Sequence, residues 1–98
     1  MTIEKTQNGS VLCLALQGRL DTTTAPQLET EINGSIAGVT DLRLDFANLE
    51  YISSAGLRVL LATQKIMNQQ GSMVISNANS DILEVFDITG FSDILTIR

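Results

Sequence analysis

Two adjacent serines, Ser53 and Ser54, are the side chains whose type and position point most directly to chemistry in this chain. A strand-like run at residues 42–46 leads toward them through a connection at residues 47–50, and a helix-like run over residues 54–70 follows them. The first turn of a helix has unpaired backbone N–H groups and a partial positive charge. A serine oxygen at that position can therefore cap the helix or carry a phosphate.

Spacing alone leaves both roles open for this pair. Capping is the commoner role, so the spacing by itself favours an N-cap for Ser54. Ser53 is then either the cap itself or a contact within the loop. Gly56 is expected to permit close packing in the first helical turn, and Arg58 is expected to be solvated. Tyr51 and Ile52 either form an exposed apolar patch beside Ser54 or, as we favour, leave Ile52 buried.

The residue inventory argues against an enzyme. The chain has no histidine and one cysteine, Cys13, which excludes a Ser-His-Asp triad and a thiolate zinc site. No glycine-rich phosphate loop is present. Among the 11 acidic residues no spacing selects an acid–base pair. We therefore predict a protein without catalytic residues, metal or cofactor, whose function is binding or regulation.

Composition predicts one small cytoplasmic domain over residues 1–98. The net charge of −5, with six scattered basic residues, argues against nucleic acid and against an anionic membrane surface as partners. The N-terminus has no signal-peptide pattern, and no apolar run is long enough to span a membrane. A single cysteine fits a reducing compartment, and we expect Cys13 to be a small buried hydrophobe.

The first part of the chain predicts two strands and a helix. Residues 2–6 form a short edge strand, and the Asn8–Gly9 dipeptide predicts a hairpin turn. The run at residues 11–16 is apolar at every position, which predicts a strand covered on both faces, closed by a bulge or turn at Gly18. Residues 22–26 predict a helix entry with a threonine cap, and Gly38 is expected to end that helix.

The rest of the chain alternates strands and helices. After the strand at residues 42–46 and the helix at residues 54–70, Gly71 is expected to stop the helix. A buried strand at residues 73–75, a helix marked by Ile82 and Phe86, and a last strand at residues 94–97 complete the chain. The order β-β-α-β-α-β-α-β predicts an α/β domain with a partly parallel sheet.

From Asp45-Phe46 through Ser53-Ser54-Ala55-Gly56-Leu57-Arg58 the sequence resembles the STAS domain, the family of sulphate-transporter tails and anti-sigma factor antagonists. The resemblance extends over the whole chain, including the turn Gly18-Arg19-Leu20-Asp21 and the stop Gly90-Phe91, and the length matches free-standing antagonists. It implies the STAS fold, with a mixed sheet of four to five strands and three to four helices.

The resemblance reverses the preference at Ser54. Aligned on Gly56-Leu57, Ser54 matches the serine that a partner kinase phosphorylates in the family's regulatory members. Ser53 stands where the family often has aspartate, Ala55 where a second hydroxyl is common and Arg58 where glycine is common. The partner-binding residues that the resemblance implies are Asp21, Ser53, Ser54, Gly56, Leu57 and Arg58. For Asp21, a cap on the first helix remains an equal alternative.

The implied function is that of an anti-sigma factor antagonist. With Ser54 unphosphorylated, such a protein binds an anti-sigma factor that is also a serine kinase and so releases a sigma factor for transcription. Phosphorylation of Ser54 ends that binding, and a PP2C-type phosphatase restores it. The alternative is a STAS adaptor without a switch, as a subunit of a lipid-transport ATPase or of a stress-signalling complex.

Overall fold

The strands form a single sheet in chain order in the computed structural model, which describes residues 1–98. The elements are β1 (Thr2–Asn8), β2 (Val11–Leu20), α1 (Ala25–Ser35), β3 (Asp41–Ile52), α2 (Ser54–Gln70), β4 (Ser72–Ser76), α3 (Ser80–Thr89) and β5 (Thr96–Ile97), with a 3₁₀ turn at Phe91–Asp93. β1 is antiparallel to β2, and the other neighbouring strands are parallel. The predicted mixed sheet and element order are confirmed.

The helices cover one face of the sheet. Parallel strands in sequential order, joined by right-handed crossovers, place every crossover helix on the same side. The strand register aligns the buried side chains of that face in two rows across the sheet, Leu12, Leu42 and Met73 in one and Leu14, Leu44 and Ile75 in the next. The helices complete this core with Leu28, Ile32, Leu60, Met67, Ile82 and Phe86. None of the helices is long and apolar enough to cross a membrane.

The other face of the sheet has no covering layer. Cys13 and Ala15 are half-buried there, and Arg43, which pairs with Cys13 across β2 and β3, is exposed. The prediction that residues 11–16 are covered on both faces is therefore wrong, as is the prediction that Cys13 is fully buried. The physical reason is the sheet order: all crossovers fall on one side, so the second face keeps small and polar side chains in contact with solvent.

β2 and β3 extend furthest beyond the bounds that the sequence pattern predicts. β3 continues through residues 47–50, which were expected to be a connection, as far as Ile52. It remains paired with β2, which also continues beyond Gly18 to Leu20. The pairing register of β2 with β3 shifts twice, between Ala15 and Gln17 and between Gly18 and Arg19. Gly18, at φ 103°, therefore forms a bulge and does not end the strand. The shift breaks the alternation of apolar residues, so the pattern hides the strand.

The remaining differences lie at element ends. The hairpin turn is Gly9-Ser10, one residue later than predicted, because Asn8 pairs with Val11. α1 ends at Ser35, before Gly38. β5 lacks residues 94–95 because their N–H groups donate to the Phe91 carbonyl at the end of the 3₁₀ turn. α2 has the predicted bounds, and Gly71 follows its last residue.

The expected threonine cap on α1 is absent. Thr24 holds the N-cap position, but its side chain makes no capping bond. The Thr24 hydroxyl instead accepts a hydrogen bond from the Asp21 N–H at 2.9 Å and donates one to the Arg19 carbonyl at 2.8 Å. The hydroxyl therefore ties the end of β2 to the start of α1.

Candidate functional site

The site is built where β2 and β3 end side by side. Leu20 pairs with Ile52 in the last rung of the parallel ladder, and the Ser53 N–H donates to the Leu20 carbonyl at 2.9 Å. Since parallel strands share a carboxyl edge, the chain leaves this rung as two adjacent connections. One carries Asp21, and the other carries Ser53 and Ser54. The structure therefore brings Asp21 and the serine pair together.

Ser53, not Ser54, caps helix α2. Its backbone is extended, at φ −101° and ψ 176°, and its side-chain oxygen accepts a long hydrogen bond of 3.5 Å from the Gly56 N–H. The cap prediction is therefore wrong for Ser54 and correct for Ser53. Ser54 is the first residue of the helix, its side chain is exposed, and its hydroxyl makes no hydrogen bond within the protein. The first turn thus keeps one serine occupied and leaves the other free.

Gly56 and Leu57 lie beneath this surface. Both are buried, with Leu57 only 6% exposed. A Cβ atom added at Gly56 would lie 2.7 Å from Cγ of Leu20 and 2.9 Å from Cγ1 of Ile52, which confirms that glycine is required for close packing. These two residues set how deeply the helix start seats on the strands, and their contact with a partner stays a prediction.

The Asp21 carboxylate organises the turn between β2 and α1. Its Oδ1 atom accepts hydrogen bonds from the Thr23 hydroxyl at 2.8 Å, the Thr23 N–H at 3.0 Å and the Thr24 N–H at 3.2 Å. The Thr23 hydroxyl is the largest cause of a pKa for Asp21 below the usual value. Asp21 therefore holds the helix entry, which is one of the two roles that the sequence left open. Its contact with a partner stays a prediction.

Arg19 and Tyr51 form a stacked pair beside the serines that the sequence analysis did not predict. The Arg19 guanidinium lies 4.2 Å from the centroid of the Tyr51 ring, and Arg19 Nε is 3.8 Å from Asp21 Oδ2. Tyr51 is 41% exposed whereas Ile52 is 3% exposed, so no shared apolar patch forms. Arg19 and Tyr51 are cross-strand partners only because of the bulges in β2 and β3, and no motif in the sequence gives that register.

Arg58 lies on the outer side of the same helical turn. It is exposed, and no carboxylate lies within ion-pair distance of it. Its side chain lines a shallow groove between the starts of α1 and α2, opposite Pro26 and Glu29. Ala55 lines the same groove and is half-buried. No group of three or more potential metal ligands occurs anywhere in the structure.

This arrangement of strands, helices and helix start has close relatives among known proteins. The family model of the STAS domain matches residues 2–98. The chain belongs to the STAS family. A Bordetella bronchiseptica relative, BtrV, which bears the name of an anti-sigma factor antagonist, is 37% identical over 99 residues that cover 99% of this chain and 84% of the relative. The anti-sigma-B factor antagonist of Bacillus subtilis is 30% identical over 98 residues, covering 99% of this chain and 90% of its own.

Solved structures have the same fold. SpoIIAA, an anti-sigma factor antagonist, superposes in its unphosphorylated form with a TM-score of 0.79 at 19% identity, covering 99% of this chain and 87% of its own. The phosphorylated form of SpoIIAA, the Bacillus cell fate determinant, gives a TM-score of 0.77 at 19% identity, covering 99% and 91%. At this identity the likeness bears on the fold, and it confirms the predicted STAS architecture.

Proposed function

We propose that this chain is a cytoplasmic anti-sigma factor antagonist whose binding is switched by phosphorylation of Ser54. Unmodified, it binds an anti-sigma factor that is also a serine kinase. The kinase transfers the γ-phosphoryl group of ATP to the Ser54 hydroxyl, releasing ADP and a proton, and a PP2C-type phosphatase later hydrolyses the ester. The observation that carries the proposal is the exposed, unbonded Ser54 hydroxyl at the first position of α2.

Access of a kinase to this hydroxyl requires no unfolding. The cap bond that a serine at a helix start commonly makes is supplied by Ser53, so modifying Ser54 breaks no hydrogen bond of the native protein. The two serines therefore divide the structural role and the regulatory role between neighbouring positions.

The domain itself tolerates the phosphate. A phosphoserine carries about −1.5 to −2 charges at neutral pH. The unpaired N–H groups and the dipole of the first helical turn favour negative charge at this position. The first turn of α2 contains no acidic residue that would oppose it. The modified domain is therefore expected to remain folded.

A docked partner meets the opposite situation. Burying a strongly hydrated dianion in an interface that does not fully neutralise its charge has a desolvation penalty on the order of several kcal/mol. A loss of about 3 kcal/mol corresponds to roughly 100-fold in affinity. The names of the relatives as anti-sigma factor antagonists support an anti-sigma factor as that partner, and the existence of a phosphorylated form of SpoIIAA supports the switch.

The first test is phosphoryl transfer by the cognate kinase with ATP, followed by peptide mass spectrometry. Ser80 is a built-in comparison because it is also an exposed first residue of a helix behind a capping side chain, Asn79. We expect phosphate on Ser54, none on Ser80, and no incorporation into Ser54→Ala. Absence of phosphate from Ser54 would contradict the switch.

The second test is binding to the anti-sigma factor by calorimetry. Ser54→Ala should bind with the affinity of the unmodified protein and persist in the presence of ATP. Ser54→Asp should bind about 100-fold more weakly, by the same conversion of free energy to affinity, whereas Ser80→Asp should bind unchanged. If Ser54→Asp keeps full affinity and Ser54→Ala loses it, the hydroxyl is a simple contact, and the adaptor without a switch is the better description.

A further inference from the structure

We propose that Arg58 binds the phosphate on Ser54 and holds it against the outer side of helix α2. This inference rests on the proposed phosphorylation of Ser54, and it assigns a second residue to the switch. Arg58 acts as a positioning residue, since it takes no part in forming or breaking the phosphate ester.

The helix geometry places the two side chains together. Ser54 and Arg58 are four residues apart in α2, and residues at this spacing are neighbours on a helix surface. Side chains of a helix point toward its N-terminus, so the long side chain of Arg58 covers the turn that contains Ser54. The planar guanidinium matches two phosphate oxygens at once, which a lysine ammonium does not do.

Arg58 is also available for this contact. It makes no ion pair in the unmodified protein and is exposed, so no native bond is broken when it turns toward Ser54. Charges near this edge include Glu29 across the groove, Glu50 near the end of β3, and Asp21 with Arg19 at the end of β2. Asp21 and Arg19 are engaged with each other, whereas Glu29 is more than an ion-pair distance from Arg58.

Two consequences follow for the switch. The phosphate is fixed in one orientation over α2, so it does not rotate away from a docked partner. The Arg58 guanidinium becomes paired with the phosphate at the same time, so the local net charge changes from positive to negative. A partner that contacts Arg58 with a carboxylate or carbonyl in the unmodified state therefore loses that contact upon phosphorylation.

The test uses full-length protein with phosphoserine encoded genetically at position 54, and ³¹P NMR across a pH titration. A neighbouring cation favours the dianion, so the phosphate pKa should rise when the cation is removed. In Arg58→Gln we expect an increase of about 0.3 pKa unit or more over the otherwise unchanged protein. Lys65→Gln, which removes an exposed cation farther along the same helix, should leave the titration unchanged.

The outcome separates this inference from the proposed function. Phosphoserine is installed without a kinase, so the titration is informative whether or not a kinase modifies Ser54. Equal phosphate pKa values in Arg58→Gln and the parent protein would overturn the inference and leave the switch standing. A changed pKa together with undiminished binding of the phosphorylated protein to its partner would uphold the contact and overturn the switch.

Phosphoserine at position 80 is a second probe, and its neighbours should shift the phosphate pKa in the opposite direction. Phosphoserine encoded at position 80 lies four residues before Glu84 and next to Asp81, so its pKa should exceed that of phosphoserine at position 54. Replacing Glu84 by Gln should lower the pKa at position 80, and replacing Arg58 should not affect it. The same pKa at positions 54 and 80 would contradict a specific contribution from Arg58.

Discussion

The starts of helices α2 and α3 share one local design and differ in everything around it. Each begins with an exposed serine, Ser54 or Ser80, immediately after a side chain that caps the helix, Ser53 or Asn79. By local pattern either serine could accept a phosphate. The charges nearby differ: Ser54 has Arg58 one turn on, whereas Ser80 has Asp81 beside it and Glu84 one turn on. A helix start therefore becomes a candidate for regulation through the charges around it.

The two helix starts also differ in how they are anchored. The Asn79 cap bond to the Ile82 N–H is 2.8 Å long, against 3.5 Å for the Ser53 bond to the Gly56 N–H. The third helical residue is Ile82 in α3 and Gly56 in α2. The start of α3 is thus held by a large apolar side chain, and the start of α2 by the close approach of a residue without a side chain.

The largest effect should come from removing the apolar anchor of α3. Ile82 is 1% exposed in the core, so Ile82→Ala leaves a cavity and should lower the free energy of unfolding by about 2–5 kcal/mol. Urea denaturation followed by circular dichroism measures this loss. Leu83→Ala, at a neighbouring side chain that is 38% exposed, should cost clearly less. Equal losses would contradict the anchoring role of Ile82.

A smaller loss of stability is expected at the corresponding position of α2, where a substitution adds atoms to a packed site and leaves no cavity. Gly56→Ala inserts a methyl group 2.7 Å from Cγ of Leu20, and overpacking of this kind costs about 1–3 kcal/mol. Gly34→Ala, in a helix where an added Cβ meets no atom within 4 Å, should instead be neutral or stabilising. Thermal unfolding of the two variants checks the difference. A Gly56→Ala protein as stable as the parent would mean that Leu20 and Ile52 move aside freely.

The two ends of α2 show how far the sequence could predict the molecule. The apolar period and Gly71 gave the bounds of α2 correctly, because a helix with one buried stripe has a strong repeating signal. The assignment of cap and free hydroxyl between Ser53 and Ser54 depends on a single residue at a helix boundary, where local patterns are least informative. The uncovered sheet face and the stacking of Arg19 on Tyr51 depend on strand order and bulges, which are properties of the whole chain.

The two caps should differ in strength. Loss of a capping side chain costs about 0.5–2 kcal/mol. Asn79→Ala should lie at the upper end, since its amide also donates to the carbonyl of Leu49 at 3.2 Å. Ser53→Ala should lie at the lower end because its cap bond is long. Chemical denaturation of both variants measures the order, and a larger loss for Ser53→Ala would reverse the comparison.

The smallest expected effects concern two carboxylates: Asp21, on the connection from β2 to α1, and Asp45 of β3, which is hydrogen-bonded to the connection before α3. Hydrogen bonds from the Thr23 hydroxyl to Asp21, and from the Asn77 amide to Asp45 at 3.0 Å, are the largest causes of pKa values below the usual range for the two groups. Both groups therefore add stability above about pH 4, the unfolded-state value, and this contribution is lost as pH falls through the lower folded-state pKa.

Removing one hydrogen-bond donor at a time distinguishes the pKa shift of Asp21 from that of Asp45. Asn77→Gly removes the amide while tolerating the backbone of Asn77, at φ 63°, and should raise the pKa of Asp45 but not that of Asp21. Thr23→Ala should do the reverse. Side-chain carboxyl NMR titrations report both groups in one sample. If Thr23→Ala also raised the pKa of Asp45, the two sites would be electrostatically coupled across the sheet edge. Local charges alone would then no longer support the proposed preference for a phosphate at Ser54 over Ser80.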